Sequence, residues 1–368
     1  MTFRIVIFPV QVGSPPQQMY VTHSLMTSQT VFVDVECGQQ PSCPLYCKDR
    51  YFKRMYCTPI CEVEITQTIC NQGQETPLDP IYANGIFWSQ NSSTFRLSNK
   101  NDWYSNTGYF RKQSGKYFTD TLTFLSDGNL TANLTIQSAE MVDGLLLDIT
   151  FPLWSGGVIG LGPGDRNIVS QLHAQNLIPL PTAYLYARRD QPIGILGFGM
   201  NVRKIGICEN KWIEYQTKDP NFWVLELEDF ELNGFSYGKK TKALLTDVGQ
   251  RILLPAKFVH RLIELNVLGV YDGPKVLNYV CTFPCDKQME LNFTINGRNL
   301  TLSTSDLMWK LIDNNTCASN LAPMVHPHYL TDVDVSLGRS FLSDFCISLD
   351  YEQMKVSFAK HKKRSADD

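Results

Sequence analysis

The sequence predicts an all-β protein built as two lobes, on three observations. Short runs rich in β-branched and aromatic residues recur along most of the chain, punctuated by Gly, Pro and Asn signals for turns. Beyond about Val202 the order of the first half returns in outline, strand, turn, strand, helix, as in proteins made of two distantly similar halves. With 368 residues, 43% hydrophobic and 19% charged, the chain is long and apolar enough for a core in each half.

The N-terminus, Met1 to Val10, reads as a first strand. Its apolar run is short, contains Pro9 and lacks a small-residue cleavage site, so it does not read as a secretory signal. Gly13-Ser14-Pro15-Pro16 is a turn, because the prolines fix φ and withhold amide donors. Met19, Val21 and His23 alternate with Gln18, Tyr20 and Thr22, and Thr30 to Val33 is β-branched and aromatic. Two strands therefore flank a short polar loop, the place where chemistry would sit.

Cys37 to Cys70 holds six cysteines, at 37, 43, 47, 57, 61 and 70, with few aliphatic residues between them. Cys43-X3-Cys47 and Cys57-X3-Cys61 are spaced like zinc ligand pairs. The even count favours disulfides in a stapled surface insertion over 37–70, and sequence does not choose among the pairings. Asn91 to Phe95 and Ser114 to Phe124 read as hairpin strands. Trp154 to Gly162 is apolar and studded with glycines, which signals close backbone approach, and a helix over 167–176 follows with Ile168, Leu172 and Gln175 on one face. Pro181 to Tyr186 and Gly194 to Gly199 are further strands.

In the second half, Asn221 to Leu227 is a strand with alternating faces and Phe230 to Lys239 a hairpin. Ala243 to Pro255 is apolar on both sides of Asp247-Val248-Gly249, and the helix after it carries Phe258, Leu262, Ile263 and Leu265. Leu291 to Gly297 is a strand and turn.

A formal net charge of −3 and a pI of about 6.1 provide no basic field for nucleic acid, and the basic tail over 360–368 reads as a solvated end. No apolar run reaches the roughly 18 residues of a spanning helix. Eleven cysteines and six Asn-X-Ser/Thr sequons, at Asn91, Asn129, Asn133, Asn292, Asn299 and Asn314, point to an oxidising secretory route: secreted, extracellular or endolysosomal. A signal and any propeptide would then lie outside this sequence.

These segments resemble the pepsin-like aspartic peptidases. Gly13-Ser14-Pro15-Pro16-Gln17 and the two strands after it are similar to the family's Gly-Thr-Pro-Pro-Gln turn, Asp-Thr-Gly-Ser loop and aromatic-Val strand. Counting forward from Gly13 puts the family's first aspartate on Ser24, and counting back from Phe32-Val33 puts it on Leu25. The stretch from Asn91 to Phe124 resembles the segment that runs into the flap, here about 104–120, with Tyr109 near the place of the flap tyrosine and Gly108 on it. Trp154 to Gly162 matches Asp-Gly-Ile-Leu-Gly-Leu-Gly, with Gly156 where the acid stands. Ala243 to Pro255 resembles the second active-site segment, keeping Asp247 and Gly249 but replacing its threonines by Val248 and Gln250 and its serine by Arg251. Val335 to Ala359 follows the closing Leu-Gly-Asp-X-Phe-Leu segment almost position by position.

The resemblance implies two β-barrel-like lobes with short helices and an interlobe sheet: an N-terminal lobe over 1–202, a C-terminal lobe over 203–359 and the tail. It implies no cofactor and no metal, a monomer, and a peptide or protein ligand in the interlobe cleft. Cys208 and Cys346 stand where some members, nematode-type ones among them, carry an extra disulfide. Cys281 or Cys285 pairs with Cys317 in the second-lobe loop, and Cys281–Cys317 is the pairing expected.

The family's mechanism holds a water between two aspartates that share one proton, one acting as base while the other donates to the substrate carbonyl. One carboxylate cannot do both. With Ser24 or Leu25 in place of the first acid, and Asp34 too far along the next strand to replace it, the sequence reads as a homologue that has lost catalysis. The alternative is a working secreted endopeptidase, acting at acidic pH, whose true transcript restores an acid between Thr22 and Gln29. A third reading is a structural or storage protein. Two other motifs carry less. Gly234-Phe235-Ser236-Tyr237-Gly238 fits a nucleophile elbow by letters but lies in a hairpin, and His326-Pro327-His328 lacks a third metal ligand.

Overall fold

The computed structural model describes residues 7–33, 87–98, 103–106, 112–125, 130–142, 156–164, 166–188, 194–201, 203, 206–247, 251–271, 280–313, 315–324 and 332–362, with backbone alone for 103–106, 112–114 and 137–142. The chain divides into two compact units, Ile5–Pro179 and a second made of Leu180–Asp368 with Met1–Arg4. The Cys37–Cys70 cluster, Asp34, Gly108, Tyr109, Asn129, Asn314 and the His326–His328 pair lie outside the described residues.

The first unit contains β1 (Ile7–Val12), β2 (Gln17–Ser24), β3 (Val31–Val33), β4 (Arg96–Leu97), β5 (Trp103–Asn106), β6 (Lys112–Phe124), β7 (Leu130–Val142) and β8 (Gly157–Gly160). They form one sheet in the order β1-β2-β8-β3-β7-β6-β4, with β5 on β6 and a further pairing of β1 with β6. The alternation read in the sequence holds over the first part of β2, where Met19 and Val21 are fully buried and Tyr20 is only half-buried, and breaks after Val21, where Thr22 is buried and His23 only half-buried. Phe32, Phe87, Phe95 and Phe118 pack with ring centroids 4.9–6.3 Å apart, and burying each such ring contributes about 1.5–3 kcal/mol. The helix Ile168–Ala174 starts where Asn167 caps it, its side chain accepting from Ser170 N at 2.7 Å. Gln171 ties it to β7 by accepting from Thr135 N at 2.7 Å. Gln175 lies at the exposed end rather than on the buried face, which Ile168, Val169 and Leu172 supply.

The strands of the second unit are β9 (Thr182–Tyr186), β10 (Ile195–Phe198), β11 (Ile213–Gln216), β12 (Val224–Leu227), β13 (Asp229–Leu232), β14 (Phe235–Ser236), β15 (Thr241–Leu245), β16 (Ile252–Pro255), β17 (Gly269–Tyr271), β18 (Val280–Pro284), β19 (Glu290–Ile295), β20 (Arg298–Ser303), β21 (Met308–Leu311), β22 (Thr316–Ser319), β23 (Leu321–Met324), β24 (Val335–Leu337), β25 (Phe345–Asp350) and β26 (Lys355–Lys360). Four sheets result, ordered β10-β9-β25-β26-β11, β12-β15-β24-β16-β23, β14-β13-β19-β20 and β17-β18-β22-β21. β9 belongs here because Thr182–Leu185 pairs with Ile347–Asp350.

The turns are chemically legible. Asn233-Gly234 and Asn296-Gly297 both adopt positive φ, as a two-residue hairpin turn requires. The core is a run of phenylalanines, 230, 293, 341, 345 and 358, all at most 1% exposed. The helix Ala256–Glu264 buries Phe258, Val259 and Leu262, while Leu265 caps its end exposed to solvent. Ser236 sits in the β13–β14 hairpin and donates to Asp229 Oδ2 at 2.5 Å, so the elbow motif has none of the strand-to-helix context it needs.

Candidate active-site motifs

Each unit contains the same local arrangement: a strand, a loop and a returning strand, with a third strand threaded between the two. In the first unit β8 runs parallel to β2 and antiparallel to β3. In the second, β24 runs parallel to β15 and antiparallel to β16. The registers can be laid over each other. Val158 pairs with Thr22 on one side and Val31 on the other, as Ser336 pairs with Leu244 and Leu253. From Thr22 to Val31 is 31 − 22 = 9 positions, and from Leu244 to Leu253 is 253 − 244 = 9, so the loops have equal length. Three positions beyond Thr22 is Leu25, and three beyond Leu244 is Asp247. Ser24 matches Thr246.

The first loop is pinned by glycines. Leu161 N donates to Ser24 O at 2.7 Å and Gly162 N to Thr27 O at 2.7 Å. A Cβ on Gly160 would come within 2.4 Å of the Gln29 backbone, so the glycines foreseen as close-approach positions are what let this segment reach the loop. Inside the loop, Met26 N donates to Ser24 Oγ at 3.2 Å and Gln29 N to Thr27 Oγ1 at 3.1 Å. Leu25 is fully buried and Ser24 is 2% exposed.

In the second loop Asp247 is 7% exposed. Arg339, first residue of the short helix Arg339–Leu342, donates from Nε to the backbone oxygen of Asp247. Burial pulls the Arg339 guanidinium below the usual arginine range, and the Asp247 charge works against that. A second arginine, Arg251, lies over the Trp309 ring at 5.0 Å. Its guanidinium is likewise lowered by burial and supported by Cys281, whose thiol burial pushes up to about 12. Arg251 stands out in the sequence at the place of the motif's serine, and Arg339 stands out less. The signal was in the letters: Leu337-Gly338-Arg339 puts a cation where the closing motif carries an acid.

In the stretch read as leading into a flap, β5 pairs with β6, Trp103 opposite Gly115 and Asn106 opposite Lys112, and the residues between the two strands lie outside the described ones. Cys208 and Cys346 form a disulfide. The second pairing corrects the expectation: Cys317 is bonded to Cys285, not to Cys281, with Cα atoms 5.1 Å apart. Cys317 lies opposite Phe283, so Cys281 and Cys285 are both diagonal to it on one face, and sequence parity does not separate them. Cys281 is a buried free thiol. Of the sequon asparagines, Asn91, Asn133 and Asn299 are exposed and Asn292 is buried. Among the described residues no group of His, Cys, Asp and Glu is arranged to hold a metal ion, and no helix is long and apolar enough to cross a membrane.

Comparison with curated proteins returned no match. A family model for eukaryotic aspartyl protease matches residues 7–361. That span takes in both strand–loop–strand motifs, the β5–β6 hairpin and the closing Leu337-Gly338 segment, and the chain belongs to the eukaryotic aspartyl protease family of pepsin-like peptidases.

Proposed function

We propose that this chain is a pepsin-like peptidase homologue that does not hydrolyse peptide bonds and at most binds peptide or protein ligands. The observation that carries the proposal is Leu25, a fully buried hydrocarbon at the register position that Asp247 holds in the other repeat. Activating a water needs one carboxylate as base and a second, protonated one as donor. Neither Leu25 nor Ser24 can take or hold that proton at acidic pH. Loss of one member of a unit that acts together removes most of the rate.

The compartment fits the family. Members are typically secreted or lysosomal, and two disulfides, with no membrane-spanning helix among the described residues, agree with passage through an oxidising lumen. The test is to express the chain behind a secretory signal and assay peptide cleavage from pH 2 to 6 with a pepstatin-type control. No inhibitor-sensitive cleavage is expected. Turnover that the inhibitor blocks and Asp247→Asn abolishes overturns the reading.

A second reading, an acid endopeptidase, is favoured by one observation: Asp247 is retained and buried in its loop. Sequencing the transcript across Thr22 to Gln29 separates the two, since an Asp-Thr-Gly there restores the enzyme.

A further inference from the structure

We propose that in the folded protein Asn299 carries an N-linked glycan and that the neighbouring sequon asparagine, Asn292, carries none. The proposal rests on the lumenal reading of this chain. Both sequons, Asn292-Phe293-Thr294 and Asn299-Leu300-Thr301, lie in the β19–β20 hairpin, and the letters treat them alike.

The hairpin register sets each asparagine opposite the threonine of the other sequon, Asn292 against Thr301 and Thr294 against Asn299. The hydroxyls follow. Thr301 Oγ1 donates to Asn292 Oδ1 at 2.5 Å and Thr294 Oγ1 donates to Asn299 Oδ1 at 2.9 Å. Both carbonyl ends are thus engaged, and the difference lies at the nitrogen that a glycan would use. Asn292 is 6% exposed, and its Nδ2 donates to Glu290 Oε1 at 2.8 Å and to Glu231 Oε1 at 3.1 Å. Asn299 is exposed, and a sugar on its Nδ2 leaves the Oδ1 bond to Thr294 in place.

The modification joins Nδ2 to the anomeric carbon of an oligosaccharide carried on a lipid pyrophosphate. The carbon–oxygen bond to the pyrophosphate breaks, the lipid pyrophosphate leaves, and Nδ2 gives up one proton. At Asn292 that substitution would remove one of the donors to Glu231 and Glu290 and push a bulky polar group into a packed site. A chain modified there could not close the hairpin. At Asn299 the way is open: a cavity of about 660 Å³ lies alongside, lined by Asn299, Thr301, Arg298, Lys211 and Trp212, with room for the innermost sugar.

The test is to secrete the full chain from eukaryotic cells, remove glycans enzymatically in heavy-oxygen water and map the peptides by mass. Asn299 should come out as labelled aspartate in most of the secreted chains and Asn292 as unlabelled asparagine. Asn299→Gln should lower the intact mass by one glycan. Thr294→Ala, which destroys the Asn292 sequon and spares that of Asn299, should lower it by none. If either variant is not secreted, the wild-type peptide map decides alone. A glycan on Asn292 of the folded monomer overturns the proposal, as does a bare Asn299 in a product glycosylated at Asn91 or Asn133. Bare asparagine at all six sequons overturns the lumenal reading and this proposal with it.

Discussion

Leu25 and Asp247 hold the same place in two copies of one strand arrangement, three residues beyond the strand positions paired to Val158 and Ser336. The surroundings differ in kind: a fully buried hydrocarbon in one copy, and a buried carboxylate whose loop binds Arg339 in the other. The first loop is therefore built around an apolar side chain, and returning an acid to it should cost stability. Leu25→Asp is expected to lower unfolding free energy by about 2–4 kcal/mol at pH 7. Burial would raise the folded-state pKa of the new carboxyl above its unfolded value of about 3.9, so the charged form is what the fold resists, and the deficit should shrink as pH falls toward 3. Urea denaturation at both pH values checks it; an equal deficit at both contradicts the apolar reading of the loop. Ser24→Ala, which removes the acceptor of Met26 N, should cost only about 0.5–1.5 kcal/mol with no pH dependence.

Arg339 is expected to be a stabilising partner of the Asp247 loop. Arg339→Met keeps the stem but removes the donor to the Asp247 carbonyl, at a cost of about 1.5–3 kcal/mol for a charge-assisted hydrogen bond. Arg339→Lys keeps a cation but not the planar Nε donor and should recover less than half of that loss. A double-mutant cycle with Asp247→Asn isolates the carboxylate's share, because the asparagine keeps the backbone oxygen. Strict additivity in urea melts shows that Arg339 serves the backbone alone.

Much of the fold was legible in the letters, and the reasons are local. Alternation at Met19 and Val21, the Asn167 cap and the Asn233-Gly234 turn each depend on a few neighbouring residues whose chemistry has one good solution. What was not legible depends on register between distant segments. Counting from Gly13 and from Phe32 gives different places for the family's first aspartate, because neither count sees β8 threaded between β2 and β3, and that pairing puts Leu25 at the register position that Asp247 holds in the second unit. The cysteine partner failed for a related reason: Cys281 and Cys285 share strand parity, so alternation does not tell them apart. Arg339 needed only attention to one letter, but its importance follows from a contact across 92 residues of sequence.

The glycine reading of the first motif can be tested by size alone. A Cβ at Gly160 would lie 2.4 Å from both the N and the O of Gln29, backbone atoms that cannot rotate away. Gly160→Ala should therefore cost more than about 3 kcal/mol and displace the Ser24–Gln29 loop. Gly297→Ala is the contrast, since nothing lies within 4 Å of its Cβ and only the positive φ of 66° opposes it. A loss of about 1 kcal/mol is expected there. Thermal melts of the two variants should differ accordingly, and a mild Gly160→Ala would mean that β8 does not press on the loop.

The cysteines of the β18–β22 pair give the most direct check. A non-reducing peptide map should show Cys285 joined to Cys317 and Cys281 as a thiol. Cys285→Ala opens a loop with a sequence separation of 32 residues and should cost about 2–4 kcal/mol, whereas Cys281→Ala leaves only a small cavity and should cost about 1 kcal/mol. Burial raises the Cys281 thiol from 9.0 to about 12, with Arg251 offsetting part of the effect. The folded chain thus holds this proton more tightly than the unfolded one. The stability tied to it is complete below about pH 9 and is lost as pH rises toward 12. At pH 8 iodoacetamide should leave Cys281 unmodified in the native protein and label it once urea unfolds the second unit. Rapid labelling of the native protein would place the thiol at the surface and overturn its burial.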